Sequence, residues 1–282
     1  MSVFEAIILG LIQGVTEFLP ISSTGHLTIA GKLLNIISPA HPEQWTAFIA
    51  VIQLGTLAAV LVYFWKDIIN IIVAFLKENL SSRTSFSKQS PDSKLGWLII
   101  IGTIPVVVVG LSFKHIIEGT LTKDLYVIAG SLIGLAVILA LAEMVAKFKK
   151  DIKDLSIKDA LIIGIAQCFA LIPGSSRSGT TITGGLFIGL NREAAARFSF
   201  LLSIPAVLAS GLLELYEALA FLNSSMVLNL IVSTIVSGIS GYVAIDFLLK
   251  YLRKNTTFLF IYYRIGLGIL VIVLLSLKFI QP

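Results

Sequence analysis

The sequence predicts an all-α polytopic membrane protein, with six transmembrane helices plus two re-entrant helical hairpins in an inverted repeat. Three observations predict it. Of 282 residues, 21 are Lys or Arg and 16 Asp or Glu, so only 13% are charged, where a soluble domain carries about 25%. With 56% hydrophobic residues and a mean hydropathy of +0.96, the chain has more apolar surface than a water-soluble core can bury, which disfavours disorder and an ordinary cytosolic enzyme. Finally, six stretches reach the roughly 20 apolar residues a spanning helix needs, and two further apolar pieces are broken near their middles.

Taken in order, the first piece, 3–36, breaks at Pro20-Ile21-Ser22-Ser23-Thr24-Gly25-His26. Spans follow at 46–65, 95–113 and 125–146, completing a first repeat of about 3–146. The Ser-rich stretch 81–93 is too short and polar to fold alone, so about 66–94 reads as a cytoplasmic loop. The second repeat, about 159–280, opens with 159–190, broken at Pro173-Gly174-Ser175-Ser176-Arg177-Ser178-Gly179-Thr180-Thr181, and continues with spans at 196–216, 228–250 and 258–280. The whole chain, 1–282, reads as one integral membrane domain. A break at membrane depth is tolerated only inside protein or against a wet cavity, so the two breaks are expected to face each other within the bundle.

Basic residues set the sidedness. Lys66, Lys77, Arg83, Lys88 and Lys94 lie in one connection, Lys147, Lys149, Lys150, Lys153 and Lys158 in another, and Lys250, Arg253 and Lys254 in a third. These connections are expected to be cytoplasmic. The connections 34–45, 114–124 and 217–227 hold only Lys114 and Lys123 and read as external, which puts both termini outside. Membrane-flanking Lys and Arg account for the net charge of +5, so no nucleic-acid partner is expected. No basic residue precedes the first apolar stretch and no small-residue cleavage signal follows it, so no removable signal peptide is read. One cysteine, Cys168, provides neither a disulfide nor a Cys metal site and reads as a small buried packing residue.

A short repeat supports the scheme. Gly10-Leu11-Ile12-Gln13 matches Gly164-Ile165-Ala166-Gln167, and aligning Pro20 with Pro173 pairs Ser22-Ser23 with Ser175-Ser176. Three spans separate the copies, so they must be inverted, and inverted repeats with broken helices place sites near the bilayer midplane.

Glu17 follows Gln13 by four residues, on the same helix face, and an ionisable group at that depth is a functional candidate. Ser22 and Thr24 read equally well as helix caps. His26 is the histidine outside the loops and their edges; with Ser23 and Glu17 it completes the hydroxyl, imidazole and carboxylate of an activated nucleophile. Gly174 to Thr181 form a hydroxyl-rich turn into a helix whose N-terminus suits an anion, and Arg177 adds a planar fork for phosphate oxygens. Elsewhere, Glu193 and Arg197 read as an i,i+4 pair, Arg264 as reaching the inner headgroups, and Pro105 and Pro205 as kinks.

The two broken segments, Gln13 to His26 and Pro173 to Thr181, closely resemble the signatures of the bacterial undecaprenyl-diphosphatase family of bacitracin-resistance membrane phosphatases. The resemblance extends over the whole chain in length and span order. It implies hydrolysis of undecaprenyl diphosphate, a lipid carrier of cell-wall synthesis, in the bacterial inner membrane. By matching position it implies catalytic roles for Glu17, Ser23 and His26, with Ser175, Ser176, Arg177, Ser178 and Thr181 holding the diphosphate and Gln13, Ser22, Thr24 and Gly174 in support. The expected chemistry is attack by Ser23 with His26 as base; attack by His26 or by water stays open. The resemblance also implies activation by a divalent cation (Mg or Ca) with Glu17 as ligand, no organic cofactor, membrane lipid as partner, and room for a homodimer. Many members carry Glu where this chain has Gln13, so a two-carboxylate clamp is not available on this face. A type 2 phosphatidic-acid phosphatase needs a later histidine, and none follows His115. A polyprenyl-phosphate flippase or secondary transporter is the alternative, because inverted repeats are transporter architecture.

Overall fold

A computed structural model describes residues 1–38, 40–119, 123–220 and 224–281. The centres of the three connections read as external (39, 120–122 and 221–223) lie outside the described residues. The named elements are all helical: α1 (Val3–Phe18), α2 (Ser23–Leu33), α3 (Pro42–Tyr63), α4 (Trp65–Leu76), α5 (Pro91–Ser112), α6 (Lys114–Glu118), α7 (Leu125–Val145), α8 (Ile157–Cys168), α9 (Arg177–Phe187), α10 (Arg192–Ala218), α11 (Ser224–Leu252) and α12 (Phe258–Ser276). Six of them, α3, α5, α7, α10, α11 and α12, are long and apolar enough to cross a membrane, so this is a multi-pass membrane protein. Helices α3, α5, α10 and α11 start four residues before the predicted spans, because polar residues such as Arg192 and Glu193 extend a helix past the apolar core, while α7 matches its span to one residue and α12 ends at Ser276, four residues short of the predicted 280.

Local capping marks the boundaries. Ser2 and Glu5 form a reciprocal capping box that opens α1, and Ser156 with Asp159 does the same for α8, each pair satisfying two amides that a helix start leaves unpaired. The pairs α1/α2 and α8/α9 each pack together across their breaks.

The 66–94 connection is not the loop expected. Its first half is α4, where Ile68, Ile69, Ile71, Ile72, Val73, Phe75 and Leu76 are too short a run to span but apolar enough for a helix. Ile71 is buried beside Gly96 of α5, while Ile69, Ile72 and Val73 are exposed. A five-residue π-helical turn, Lys77–Ser81, follows, and Glu78 then accepts the Ser90 N–H at 2.9 Å ahead of α5. The Ser90 hydroxyl and this N–H together hold the Glu78 carboxyl below its usual value of 4.5. A depressed folded value means stability present above the ordinary carboxylate range and lost as pH falls through the lowered value. Glu78→Gln is therefore expected to melt slightly lower than wild type at neutral pH, with the difference closing in acid; a pH series of thermal melts checks this.

The repeats exchange partners. α1 packs chiefly on α11, and its counterpart α8 packs on α5, the counterpart of α11; α3 meets α10 and α7 meets α12 across the same centre. Small residues permit the closest approaches: a Cβ on Gly10 would fall 2.6 Å from the Ser233 carbonyl, and one on Gly164 would strike the Gly102 backbone. Without a hydrophobic drive between lipid-bathed helices, such close backbone packing supplies much of the association. At one end of the bundle, Phe18 and Phe64 pack on Phe200 with centroids 5.1 and 6.2 Å apart.

Polar pairing at that end differs from expectation. Arg197 pairs with Asp67 at 2.7 Å and Glu193 with Arg253 at 2.7 Å, not with each other; tying α10 to α4 and to the turn that follows α11 gains more than a pair along one helix. Glu143, almost fully buried, takes both Arg192 and the Thr257 hydroxyl. Cys168 is half-buried, not buried, with Sγ 3.5 Å from the Gly164 carbonyl.

Candidate active site

The two breaks meet, and the geometry of each follows from one serine. Ser22 caps α2 and Ser176 caps α9, each accepting the amide three residues on, from Gly25 at 3.2 Å and Gly179 at 3.1 Å. Both take φ values, 78° and 70°, that a residue with a Cβ rarely adopts. Their hydroxyls also meet Thr24 and Ser178, at 3.3 and 3.2 Å. Each cap stands nine residues past its glutamine, Gln13 or Gln167. The structural repeat therefore has one constant offset of 154, and the expected pairing of Ser22-Ser23 with Ser175-Ser176 is off by one. The capping hydroxyl, not the proline, sets the register: Gly174, at φ 84°, absorbs the difference. A Cβ there would collide with the Ser131 hydroxyl and the Ile128 carbonyl. Under the corrected register Ser23 is the counterpart of Arg177, and Glu17 of Leu171.

The starts of α2 and α9 line a single cavity of about 440 Å³, together with Glu17, Gln167 and Pro173. Opening amides of a helix lack intrahelical partners and carry partial positive charge, so two such ends point one cavity toward an anion. Glu17 lies between them, 5% exposed. One of its oxygens accepts Arg177 Nη2 at 3.0 Å; the other accepts the Ser23 hydroxyl at 2.7 Å and the Gln13 amide at 2.9 Å. Arg177 is further fixed by the Ser199 carbonyl at 3.3 Å. The result is a hydroxyl, a carboxylate and a guanidinium in one hydrogen-bonded chain, drawn from both repeats.

The remaining expected site residues are placed as follows. Ser176 and Thr24 line the cavity. Ser178 donates to the Leu19 carbonyl at 3.0 Å, joining the two breaks, and Thr181 bonds Ser199 at 2.6 Å behind Arg177. Ser175 is fully buried and its hydroxyl has no partner among the described residues. His26 does not line the cavity. Its Nδ1 meets the Ser22 carbonyl at 2.6 Å and its Nε2 the Tyr263 hydroxyl at 2.7 Å, with the two rings stacked. The expected Ser23–His26 pair is thus replaced by Ser23–Glu17: i to i+3 spacing on a helix start turns His26 back onto the break.

Arg264 corrects a second expectation. It reaches no headgroup but is the largest fully buried side chain. Its guanidinium donates to the carbonyls of Ser175 at 2.9 Å and Leu132 at 3.2 Å, and at 3.4 to 3.5 Å to those of Ser131, Gly174 and Pro20. Ser131 also donates to the Pro173 carbonyl. Hydropathy hides this role, since an arginine early in a spanning helix reads as snorkelling; the unpaired carbonyls of the two breaks were the available signal.

The donor set does not fit a protein-built cation site. Glu17 is the carboxylate beside Ser23 and Arg177 and is already paired, and no cluster of three or more His, Cys, Asp or Glu residues able to hold a metal occurs among the described residues.

Fold and site together define a polytopic membrane protein with a polar, anion-receptive centre between two broken helices. Over residues 6–270 the sequence matches the family described as bacitracin resistance protein BacA. The chain belongs to that family. It is 58% identical over 268 residues to an undecaprenyl-diphosphatase of Syntrophobacter fumaroxidans, covering 95% of each chain. It is 51% identical to one from Chlorobium phaeovibrioides over the full length of both, and 52% identical to one from Chloroherpeton thalassium over 98% of each.

Proposed function

We propose that this protein hydrolyses undecaprenyl diphosphate to undecaprenyl phosphate and inorganic phosphate, returning the lipid carrier to peptidoglycan synthesis and thereby conferring bacitracin resistance. The observation that carries the reading is the Ser23–Glu17–Arg177 chain at the cavity, flanked by two helix N-termini. Ser23 Oγ attacks the terminal phosphorus while Glu17 takes its proton, and the bond from phosphorus to the bridging oxygen breaks. Undecaprenyl phosphate leaves with that electron pair and receives the proton. Glu17 then takes a proton from water attacking the phosphoserine and returns it to Ser23 as inorganic phosphate departs. Arg177 and the opening amides of α2 and α9 offset charge on the transferring group, the main lever in phosphoryl transfer. His26 serves by holding the Ser22 carbonyl, and so the strained turn that presents Ser23.

Apolar residues Val107, Leu111, Val207 and Leu213 line the same cavity as the polar centre, giving the first isoprene units a lipid-like path. Basic-residue distribution supports an inner-membrane orientation with α1/α2 and α8/α9 as re-entrant hairpins of opposite direction and both termini outside. A divalent cation is proposed only as a companion of the substrate's own phosphates, and no step above uses it. A homodimer is compatible with this reading.

Detergent-purified protein is expected to release phosphate from undecaprenyl diphosphate, and Arg177→Ala to lower kcat/KM by about 10² to 10³. The exchanged packing of the repeats favours a flippase as the second reading. Wild-type protein that moves polyprenyl phosphate across liposomes yet releases no phosphate when given undecaprenyl diphosphate would establish that reading and sink the first.

A further inference from the structure

The second glutamine has no occupation in the repeat it belongs to. Gln13 spends its amide on Glu17, four residues on. Its counterpart Gln167 is followed four residues on by Leu171, which offers no acceptor. Gln167 is 0% exposed and lines the cavity with Glu17, Ser23, Ser176 and Arg177, yet neither its Nε2 nor its Oε1 has a hydrogen-bond partner among the described residues. A buried amide left unpaired on both atoms is costly, and such groups in native proteins call for a partner. A purely structural role is poorly served by this residue, since leucine or methionine would fill the space without stranding a donor and an acceptor. Helix α8 holds it there rigidly: Gly164, one turn earlier, is packed directly on the Gly102 backbone.

We propose that Gln167 is a substrate-binding residue whose amide N–H donates to a non-bridging oxygen of the lipid diphosphate, on the α8 side of the cavity. The proposal rests on the polyprenyl-diphosphate reading above and deepens it. An amide suits this place: it adds a directional donor without a further charge, and its carbonyl remains available to a protonated phosphate oxygen or a substrate-borne water. Gln13 and Gln167 thus divide one ancestral-looking position into two tasks, one orienting the carboxylate and the other gripping the ligand.

The test uses the full-length protein in detergent, with polyprenyl diphosphate for turnover and its methylene-bridged, non-hydrolysable analogue for binding. Gln167→Leu and Gln167→Met are expected to weaken analogue binding and lower kcat/KM by about 10- to 100-fold, the loss from one hydrogen bond to a charged group. Their melting temperatures without ligand should equal or exceed that of wild type, because the stranded amide is gone. Gln167→Glu should lose more than either, since it sets a carboxylate against the phosphate. Wild-type turnover with unchanged binding and kcat/KM in the Leu and Met variants would overturn this proposal and leave the phosphatase reading standing. Analogue binding that weakens in the variants while wild type releases no phosphate would support the binding role and overturn the phosphatase reading. A wild-type protein that neither binds the analogue nor releases phosphate from polyprenyl diphosphate overturns both.

Discussion

Glu17→Gln and Ser23→Ala are each expected to slow phosphate release by about 10³ to 10⁴, and the double variant to be no slower than the worse single. General-base catalysis is worth about 10² to 10⁴, and groups acting as one unit lose their effect together. The structure makes them one unit: the Ser23 hydroxyl donates to the same Glu17 oxygen that Gln13 holds. Glutamine keeps the size of Glu17 but can no longer accept the proton or pair with the charge of Arg177. Single-turnover rates, with acid-quench trapping of the phosphoserine, measure both effects. Wild type should accumulate trapped phosphate on Ser23 and Ser23→Ala none. Hydrolysis by Ser23→Ala within tenfold of wild type would transfer the nucleophile's role to water and leave Glu17 as its base.

Arg264→Met is expected to cost about 3 to 5 kcal/mol, read as a melting temperature lower by roughly 6 to 20 °C, and to abolish activity with it. The methionine fits the space but strands the carbonyls that the guanidinium now serves, each a buried acceptor whose loss of a partner costs about 1 to 3 kcal/mol. Three of them, Pro20, Gly174 and Ser175, belong to the breaks themselves. Arg264→Lys keeps the charge but not the planar fork, and should fall between. A melting temperature for Arg264→Met within about 2 °C of wild type would show that the breaks hold their shape unaided.

Much of this is legible in the sequence, for physical reasons that also explain the rest. Length and hydropathy expose α3, α5, α7, α10, α11 and α12 because the hydrocarbon layer imposes one length on every span. Helix α4 escapes that rule, being too short to span and adjoining basic and serine-rich residues. Glu17 and Arg177 stand out as costly charges at depth, and the structure pairs them. Arg264, more deeply buried than either, reads as an interfacial residue because depth along a helix does not say whether the residue faces lipid or protein. His26 and Ser23 are three apart on a helix, close enough in sequence to suggest a pair; the positive φ of Ser22, which fixes where each points, is not written in composition or spacing.

The constant offset of 154 gives the centre a direction. Two halves built to one plan would bind a symmetrical guest equally well in either sense. Here the corresponding positions differ, Ser23 against Arg177 and Glu17 against Leu171, so one half holds a nucleophile with its carboxylate and the other a cation with an apolar neighbour. A diphosphate with a tail on one end only is likewise a thing with two unlike ends. On the reading developed above it seats one way round, terminal phosphorus toward α2 and tail along the apolar lining, and a reversed molecule would bring its ester-bearing phosphorus, with the lipid attached, to the serine.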